Sequence, residues 1–364
     1  MQPPIDKACG EGLMPDSLAA LAQLGISLED NPTQEPAQVA AQAPGFPLTG
    51  IRFLSADGRT QTEAAFPNQT GRGVRRLQLH QLLFDRALTL GVRFHWQTVV
   101  QSIQTVEAGA GNDPASAVTI HTNRGSLAAR YLIGADGLAS RIRTWANLDQ
   151  SSVSRRRLAL RQHFALAPWT NLVEVHWSPH GQAYVTPIAE DEICVAFVSR
   201  ERLPSVAAAL SHFPKLQSRL SAAQPTDKPR GAATFSRKLH RVTRGSIALL
   251  GDASGSVDAV TGEGLALSFR QALVLAEAIA TNDLAVYQQA HTTLRRLPHL
   301  MASTMLLLDR SPQIRAASLT VLARYPGLFA QLLALHIGEP PASLLNIPAS
   351  FLRSILRSST PQTA

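Results

Sequence analysis

Two short apolar segments, each running into a glycine-flanked aspartate, constrain the fold of this chain more than any other feature. They are Tyr131–Gly137 and Leu249–Asp252, and after the second a loop leads to Thr261–Gly264 at the start of a predicted helix. A buried strand followed by a glycine-rich turn and a helix is typical of a parallel α/β sheet. Both segments are therefore predicted to be strands of one α/β domain.

Between these segments the pattern changes to short apolar runs separated by turn residues. The runs cover residues 158–166, 172–177, 183–188 and 193–198. This pattern predicts an antiparallel sheet with one face on a core. We therefore predict an α/β domain over residues 1–154 and 240–285, an inserted antiparallel-sheet domain over residues 155–239, and helices over residues 286–364.

Periodicity and turn residues predict the other elements. These are helices over 16–24, 77–90, 205–220 and 265–280, a loop over 29–47, a strand pair over 50–56 and 61–65, a strand Val92–Trp96, and a hairpin over 99–106 and 117–122 around Gly109–Gly111. Gly25 and Gly91 are well placed to end the first two helices.

Composition narrows the functional classes. Hydrophobic residues make up 45% of the 364 residues and charged residues 16%, which is typical of globular proteins. Two cysteines, Cys9 and Cys194, exclude a disulfide framework, and no Cys/His cluster has metal-ligand spacing. Because Met1–Pro4 does not open a secretory leader and no apolar run is long enough to span a bilayer, we expect a cytoplasmic protein.

The net charge of +8 comes mostly from arginines. Arg155–Arg157 is similar to a nucleic-acid patch, but it lacks interleaved aromatic residues and any nucleic-acid module, so we expect no nucleic-acid partner. A solvated basic face, or attraction for anionic cofactors and membrane head groups, accounts for the charge instead.

The segment around Asp252 suits a ligand that carries both hydroxyls and negative charge. A carboxylate at the end of a strand accepts hydrogen bonds from sugar-like hydroxyls. Gly262 and Gly264, at the first turn of the next helix, expose backbone N–H groups and the positive end of the helix dipole to an anion. For this segment alone, an ordinary strand–turn–helix with a glycine-rich turn is the alternative.

The order and separation of the two aspartate segments, with the sheet between them, resemble one family. It is that of the flavoprotein oxidoreductases, which include para-hydroxybenzoate hydroxylase, the geranylgeranyl reductases and the flavin-dependent halogenases. Gly134–Gly137 matches the family's Asp-Gly motif and Gly251–Asp252 its Gly-Asp motif, within a resemblance over roughly residues 3–285. The resemblance implies an α/β fold with an incomplete Rossmann-like FAD-binding domain, an inserted antiparallel-sheet substrate domain and a helical C-terminus. It also implies FAD as cofactor and NAD(P)H as electron donor.

The resemblance also implies which residues contact the cofactor. They are Cys9, Gly10, Gly12, Arg76, Asp136, Gly251, Asp252, Gly262, Gly264, Leu265 and Ala266. Asp252 corresponds to the ribityl ligand, Arg76 to a contact with the phosphate and ribityl region, and Asp136 to a residue that supports the surrounding fold. The turn from Gly264 lies beneath the flavin pyrimidine. Cys9 lies against the isoalloxazine, either packing there or serving as a catalytic thiol.

The loop residues favour the reductase branch of the family. The hydroxylases carry histidine three residues after the aspartate and proline further along, where this chain has Gly255 and Asp258–Ala259. Thr261–Gly264 and Cys9–Gly10 are more similar to the geranylgeranyl reductases. Part of that branch's strand over the flavin is also present, which makes Tyr184, Thr186 and Pro187 candidate substrate contacts.

We therefore expect a geranylgeranyl reductase-like oxidoreductase that acts on a hydrophobic small molecule. An aromatic monooxygenase, or an inactive fragment of such an enzyme, is the alternative. No side chain stands out as an acid or base, and His163, His176 and His180 are interpreted as structural. Apolar stripes beside arginines on the C-terminal helices suit peripheral membrane contact, with packing across the domain as the alternative.

Members of the family begin with a strand, a Gly-x-Gly-x-x-Gly turn and a helix that holds the pyrophosphate. The sequence lacks this motif, because Gly71–Gly73 and Gly262–Gly264 each miss the third glycine. We therefore expect either a start codon assigned too late, with the first βαβ unit encoded upstream of Met1, or a truncated gene. We also expect the chain as given to bind FAD poorly or not at all.

Overall fold

The computed structural model describes residues 5–28, 44–105 and 118–339. The helices in this part are α1 (Pro15–Gln23), α2 (Arg76–Thr89), α3 (Arg141–Trp145), α4 (Val206–Leu210), α5 (Pro214–Arg219), α6 (Gly264–Ala280), α7 (Leu284–Leu294), α8 (Arg296–Arg310), α9 (Pro312–Arg324) and α10 (Pro326–His336).

The strands are short in the first part of the chain and longest in its middle. They are β1 (Gly12–Leu13), β2 (Phe46–Leu48), β3 (Gly50–Ser55), β4 (Gln61–Ala65), β5 (Gly71–Gly73), β6 (Val100–Thr105), β7 (Val118–Thr122), β8 (Gly125–Ala129), β9 (Leu132–Gly134), β10 (Ser151–Val153), β11 (Arg157–Ala165), β12 (Leu172–Ser178), β13 (Gly181–Ala189), β14 (Glu192–Ser199), β15 (Gln224–Pro225), β16 (Arg230–Thr234), β17 (Arg237–Leu239), β18 (Thr243–Arg244) and β19 (Ile247–Leu249).

The two aspartate segments form strands of one sheet, as predicted, and these strands are direct neighbours. β9 and β19 are parallel neighbours, with Leu132 opposite Ile247 and Gly134 opposite Leu249. β18 adds an antiparallel edge to β19. Because the carboxyl ends of parallel strands meet at one edge of the sheet, this pairing brings the Asp136 and Asp252 loops to the same edge. The predicted α/β fold with an antiparallel sheet and a helical C-terminus is confirmed.

The largest sheet has the order β15-β11-β14-β13-β12-β3-β4, with β16 also paired to β11. It includes β3 and β4, which the predicted boundaries assign to the first domain; the boundaries themselves remain a prediction. The prediction of a single buried face is wrong. Val173, Val175 and Trp177 pack on one side against residues of α8–α10, and Val185 and Phe197 pack on the other side against α4 and α5.

Two local predictions also fail. Val92–Trp96 forms no strand; instead Phe94 and Trp96 stack on each other at 5.4 Å and contact Phe84 of α2. The single helix predicted over 205–220 is two short helices, because Pro214 begins a new one. The loop Gly109–Gly111 and most of the loop 29–47 lie outside the described residues.

The C-terminal helices cover the central sheet. Leu319, Leu322, Leu328 and Leu333 are buried in this core, whereas Leu307 is exposed. Pro312 and Pro326 begin α9 and α10, where a missing N–H costs nothing. In the described part of the chain, no single helix is long and apolar enough to cross a membrane; α9 and α10 together meet the length and composition test but are bent by 106°.

Candidate functional site

A cavity of about 940 Å³ lies between the large sheet, the N-terminal segment, the start of α6 and the C-terminal helices. Most of the predicted site residues line it. They are Cys9, Gly10, Gly12, Arg76, Asp136, Tyr184, Thr186, Gly251, Asp252, Gly262, Gly264 and Leu265. Ala266 and Pro187 do not reach its wall: Ala266 is buried inside the first turn of α6, and Pro187 is buried where β13 passes β5.

The turn at Gly251–Asp252 is fixed by its backbone. Gly251 has φ +59°, which favours glycine, and its N–H donates to Gln271 Oε1 of α6 at 2.9 Å. Asp252 follows and faces the cavity. Its carboxylate is accessible there, yet the surrounding protein displaces enough bulk water to raise its pKa, an effect that Lys7 and Arg295 oppose. The carboxylate thus has free acceptor capacity toward a ligand hydroxyl.

The start of α6 presents unpaired amides to the cavity. Gly262 has φ +72° and ends a 3-10 turn, and the helical ladder begins only with the bond from Leu267 N–H to the Glu263 carbonyl at 3.0 Å. The N–H groups of Gly264, Leu265 and Ala266 precede that ladder. They can therefore stabilise a developing negative charge.

Arg76 is half-buried at the cavity wall, and its guanidinium forms no salt bridge with any of the residues that the structure describes. Its Nη1 atom is buried and has no hydrogen-bond partner in the described part of the chain. Its backbone N–H donates to Glu11 Oε1 at 2.9 Å, so Glu11 caps the start of α2. A buried guanidinium nitrogen that has no hydrogen-bond partner suits an anionic ligand.

Asp136 lines the cavity, and its carboxylate is engaged by the protein's own hydrogen-bond donors. Its carboxylate accepts hydrogen bonds from Ser140 Oγ at 2.5 Å and from the N–H groups of Arg141 and Ile142 at 2.7 and 3.2 Å. These are the first amides of α3, which the aspartate caps. The geometry agrees with the supporting role implied by the resemblance.

Cys9 lies on the cavity wall, where its sulfur accepts the Glu11 N–H at 3.4 Å. Burial raises the pKa of its thiol, whereas the hydrogen bond from the Glu11 N–H and the charge of Arg76 oppose the rise. A thiol with a raised pKa carries little thiolate at neutral pH. Packing therefore describes Cys9 better than nucleophilic catalysis.

Glu11 joins three elements of the site. It has φ +61°, and its Oε2 lies 2.6 Å from His163 Nε2, while His163 Nδ1 lies 2.9 Å from Asp227 Oδ2. Arg161 pairs with Asp227 as well. Ligand atoms of Glu11, His163 and Cys194 lie within 4.8 Å of one another, although the hydrogen bond between the first two already uses their facing atoms.

A second buried network holds the loop after Asp252 against the sheet. Arg157 of β11 pairs with Asp258 at 2.9 Å and with Asp309 of α8 at 3.7 Å, and it donates to Gln182 of β13. Its side chain is 3% exposed. Arg157 is therefore not part of a solvated basic face.

The rest of the cavity is apolar. Its wall there is formed by β3, β12 and α8–α10 through Ile51, Phe53, Val173, Val175, Met301, Met305, Leu308, Phe329, Leu332 and Leu333. Tyr184 donates to the Val260 carbonyl at 2.8 Å, which ties this wall to the loop that precedes α6. One end of the cavity thus carries charge and hydrogen-bonding groups, and the other suits a hydrophobic molecule.

Sequence patterns missed several residues of the site. Glu11, Arg157, Glu263 and His336 all act through partners far away in the chain. The available signal was the placement of Glu11 and of Glu263, each an acidic residue between two glycines that were assigned to a cofactor contact.

Comparison with known proteins decides the cofactor class. Residues 3–294 match the family described as FAD binding domain. The chain belongs to this family. The prediction of a FAD-binding flavoprotein, a member of a family of flavin-dependent enzymes, is thereby confirmed. Among curated proteins there is no match.

Solved structures agree with this FAD-binding protein in fold. *Klebsiella pneumoniae* HpxO complexed with FAD and uric acid has a TM-score of 0.72 at 17% identity, covering 93% of this chain and 90% of that one. *Pseudomonas putida* p-nitrophenol 4-monooxygenase PnpA has 0.71 at 16%, covering 92% and 88%. The flavin-dependent halogenase CmlS has 0.68 at 20%, covering 84% of this chain, which spans 58% of the length of CmlS.

The residues of the FAD-binding protein fit the flavin end of the cofactor. Arg76 offers a buried guanidinium nitrogen without a hydrogen-bond partner among the described residues, Asp252 offers an accessible carboxylate, and the start of α6 offers the amides of Gly264 and Leu265, which line the cavity. A Cβ atom added to Gly10 or Gly264 would meet no protein atom within 4 Å. These glycines therefore leave room for a flat ring against the backbone.

Proposed function

We propose that the protein is a FAD-dependent oxidoreductase that acts on a hydrophobic small molecule, in the manner of the geranylgeranyl reductases. One observation supports the proposal most strongly. Asp252, Arg76 and the start of α6 line one end of the same cavity whose other end is apolar. NAD(P)H as electron donor is proposed from the sequence resemblance, and a cytoplasmic location from the cysteine content.

Each part of the site has a role in this proposal. FAD, when bound, supplies hydride or oxygen chemistry. Asp252 accepts hydrogen bonds from ribityl hydroxyls, Arg76 neutralises a phosphate, and the amides at the start of α6 stabilise negative charge at the pyrimidine edge. The apolar wall orients the substrate and excludes water from it.

A second candidate is an aromatic monooxygenase. It is supported by the fold similarity to PnpA and by the rings of Phe53 and Phe329, which lie 4.8 Å apart on the cavity wall. Incubation with NAD(P)H and candidate isoprenoid or phenolic substrates, with and without oxygen, separates the two. A product that forms without oxygen supports reduction, and one that requires oxygen supports hydroxylation.

The cofactor assignment predicts a loss of FAD affinity on removal of Arg76. Arg76→Ala removes the unpaired cation, and we expect FAD to bind about 10-fold or more weakly, because a hydrogen bond to a charged group contributes roughly 1.5–3 kcal/mol. Flavin fluorescence quenching measures the dissociation constant relative to the unaltered chain. Arg93→Ala, which removes an exposed arginine, is the control and leaves the affinity unchanged. Equal affinities for all three proteins would contradict the assignment.

A further inference from the structure

Glu263 is a buried acid at the flavin end of the cavity. It lies between Gly262 and Gly264, which line the cavity, and is 4% exposed. In the described part of the chain, neither of its carboxylate oxygens makes a hydrogen bond of good geometry. The nearest basic group is the His336 ring, whose Nδ1 lies 3.7 Å from Glu263 Oε1. A buried carboxyl left in this state calls for a proton or a partner.

His336 connects this acid to the cavity. It is the last residue of α10, its side chain is 13% exposed, and it lines the cavity beside Leu332 and Leu333. The ring is thus a titratable group in a largely apolar wall, next to the start of α6. A substrate that fills the apolar half would lie against it.

Burial and the charges around Glu263 and His336 determine which of the two side chains is protonated. Burial raises the pKa of Glu263 to about 8; the nearby Asp16 of α1 adds to this, whereas the Thr261 side chain and Arg270 of α6 oppose it. Burial also lowers the pKa of His336, against the opposing effects of Asp16 and the Thr261 backbone. At neutral pH the pair therefore consists of a protonated carboxyl group and a neutral imidazole.

We propose that His336 is the catalytic acid of the substrate site and that Glu263 stores its proton. In this proposal Nε2 carries the ring proton and gives it to a substrate atom in the cavity, while Nδ1, which lies 3.7 Å from Glu263 Oε1 at rest, approaches to hydrogen-bond distance and takes the carboxyl proton. One N–H and one O–H bond break, and one bond to the substrate and one new N–H bond form. The ring stays neutral and Glu263 becomes a carboxylate. Nε2 then takes a proton from water and Nδ1 returns its proton to Glu263, which restores the starting state. This inference rests on the proposed function.

The carboxyl group is tested first, without any substrate. Infrared difference spectra of the unaltered protein are recorded from pH 6 to pH 10, together with those of Glu263→Gln. We expect a protonated-carboxyl band that fades with a midpoint near pH 8 and is missing in the variant. Absence of the band from the unaltered protein at pH 6 would overturn the proposal whether or not the enzyme turns over.

The role of His336 is tested in the FAD-loaded enzyme. The substrate is one identified in the incubations with isoprenoid or phenolic compounds. His336→Gln should lower kcat by about 10²–10⁴-fold, with FAD affinity within about twofold of the unaltered enzyme. In Glu263→Gln the decline of kcat above pH 8 should disappear. His95→Gln, at an exposed position, is the control. Unchanged kcat in His336→Gln overturns this inference, whereas failure of the FAD-loaded unaltered enzyme to turn over any such substrate overturns the proposed function instead.

Discussion

Replacing Arg157 by methionine should reduce the free energy of unfolding by about 3–5 kcal/mol, the cost of leaving one partner of a buried ion pair alone. Asp258 and Asp309 are each 1% exposed. Arg157 lies 2.9 Å from the first and 3.7 Å from the second. Arg200, 3.4 Å from Asp309, would satisfy only one of the two carboxylates. Urea unfolding followed by circular dichroism measures the difference.

The neighbouring arginine provides the control for this experiment. Arg156 is exposed in the same run of three arginines, and Arg156→Met should change stability by no more than about 0.5 kcal/mol. If the two variants unfold at the same urea concentration, the network around Arg157 does not hold the loop. A second readout is FAD affinity, which should fall in Arg157→Met because Asp258 belongs to the loop between Asp252 and α6.

Glu263→Gln should stabilise the protein at alkaline pH. The pKa of this carboxyl rises from its ordinary 4.5 to about 8 on folding, so the folded state holds a proton that the unfolded state has lost. The free energy of unfolding therefore falls as pH rises from 4.5 to 8 and stays low above that. Glutamine mimics the neutral acid, and the variant should be more stable by about 3–5 kcal/mol at pH 9.

At pH 4.5, where the carboxyl is half ionised in the unfolded state and neutral in the folded state, the same variant should differ from the unaltered protein by no more than about 0.4 kcal/mol. Urea unfolding at pH 4.5, 7 and 9 gives the comparison. Glu277→Gln, at an exposed position on the same helix, is the matched control and should show no such dependence. A constant difference between Glu263→Gln and the unaltered chain at all three pH values would contradict the expected linkage.

Local patterns predicted the parts of the site that depend on neighbours in sequence. The strand before Gly251, the turn and the start of α6 follow one another within a few residues, so their periodicity and glycines were sufficient. Val92–Trp96 alternates like a strand, but its aromatic rings gain more contact by stacking on α2. Strand propensity is overridden in this way by packing.

The remaining features depend on contacts between distant parts of the chain. His163 lies 152 residues after Glu11, and His336 lies on a helix far beyond Glu263. No spacing rule links such pairs. The two-sided burial of the large sheet has the same origin, because the helices that cover its faces come from residues 206–219 and 296–336.

Alternate residues of β13 have two different roles, since one set lines the cavity and the other packs in the core. Tyr184 and Thr186 face the cavity, whereas Ala183 and Val185 pack under α4 and α5. Substitutions of Tyr184 or Thr186 would alter which substrate binds. Substitutions of Ala183 or Val185 would alter whether the chain folds. Substrate preference could therefore drift over generations, or be redirected in the laboratory, by changing every other residue of one strand while its neighbours stay constant.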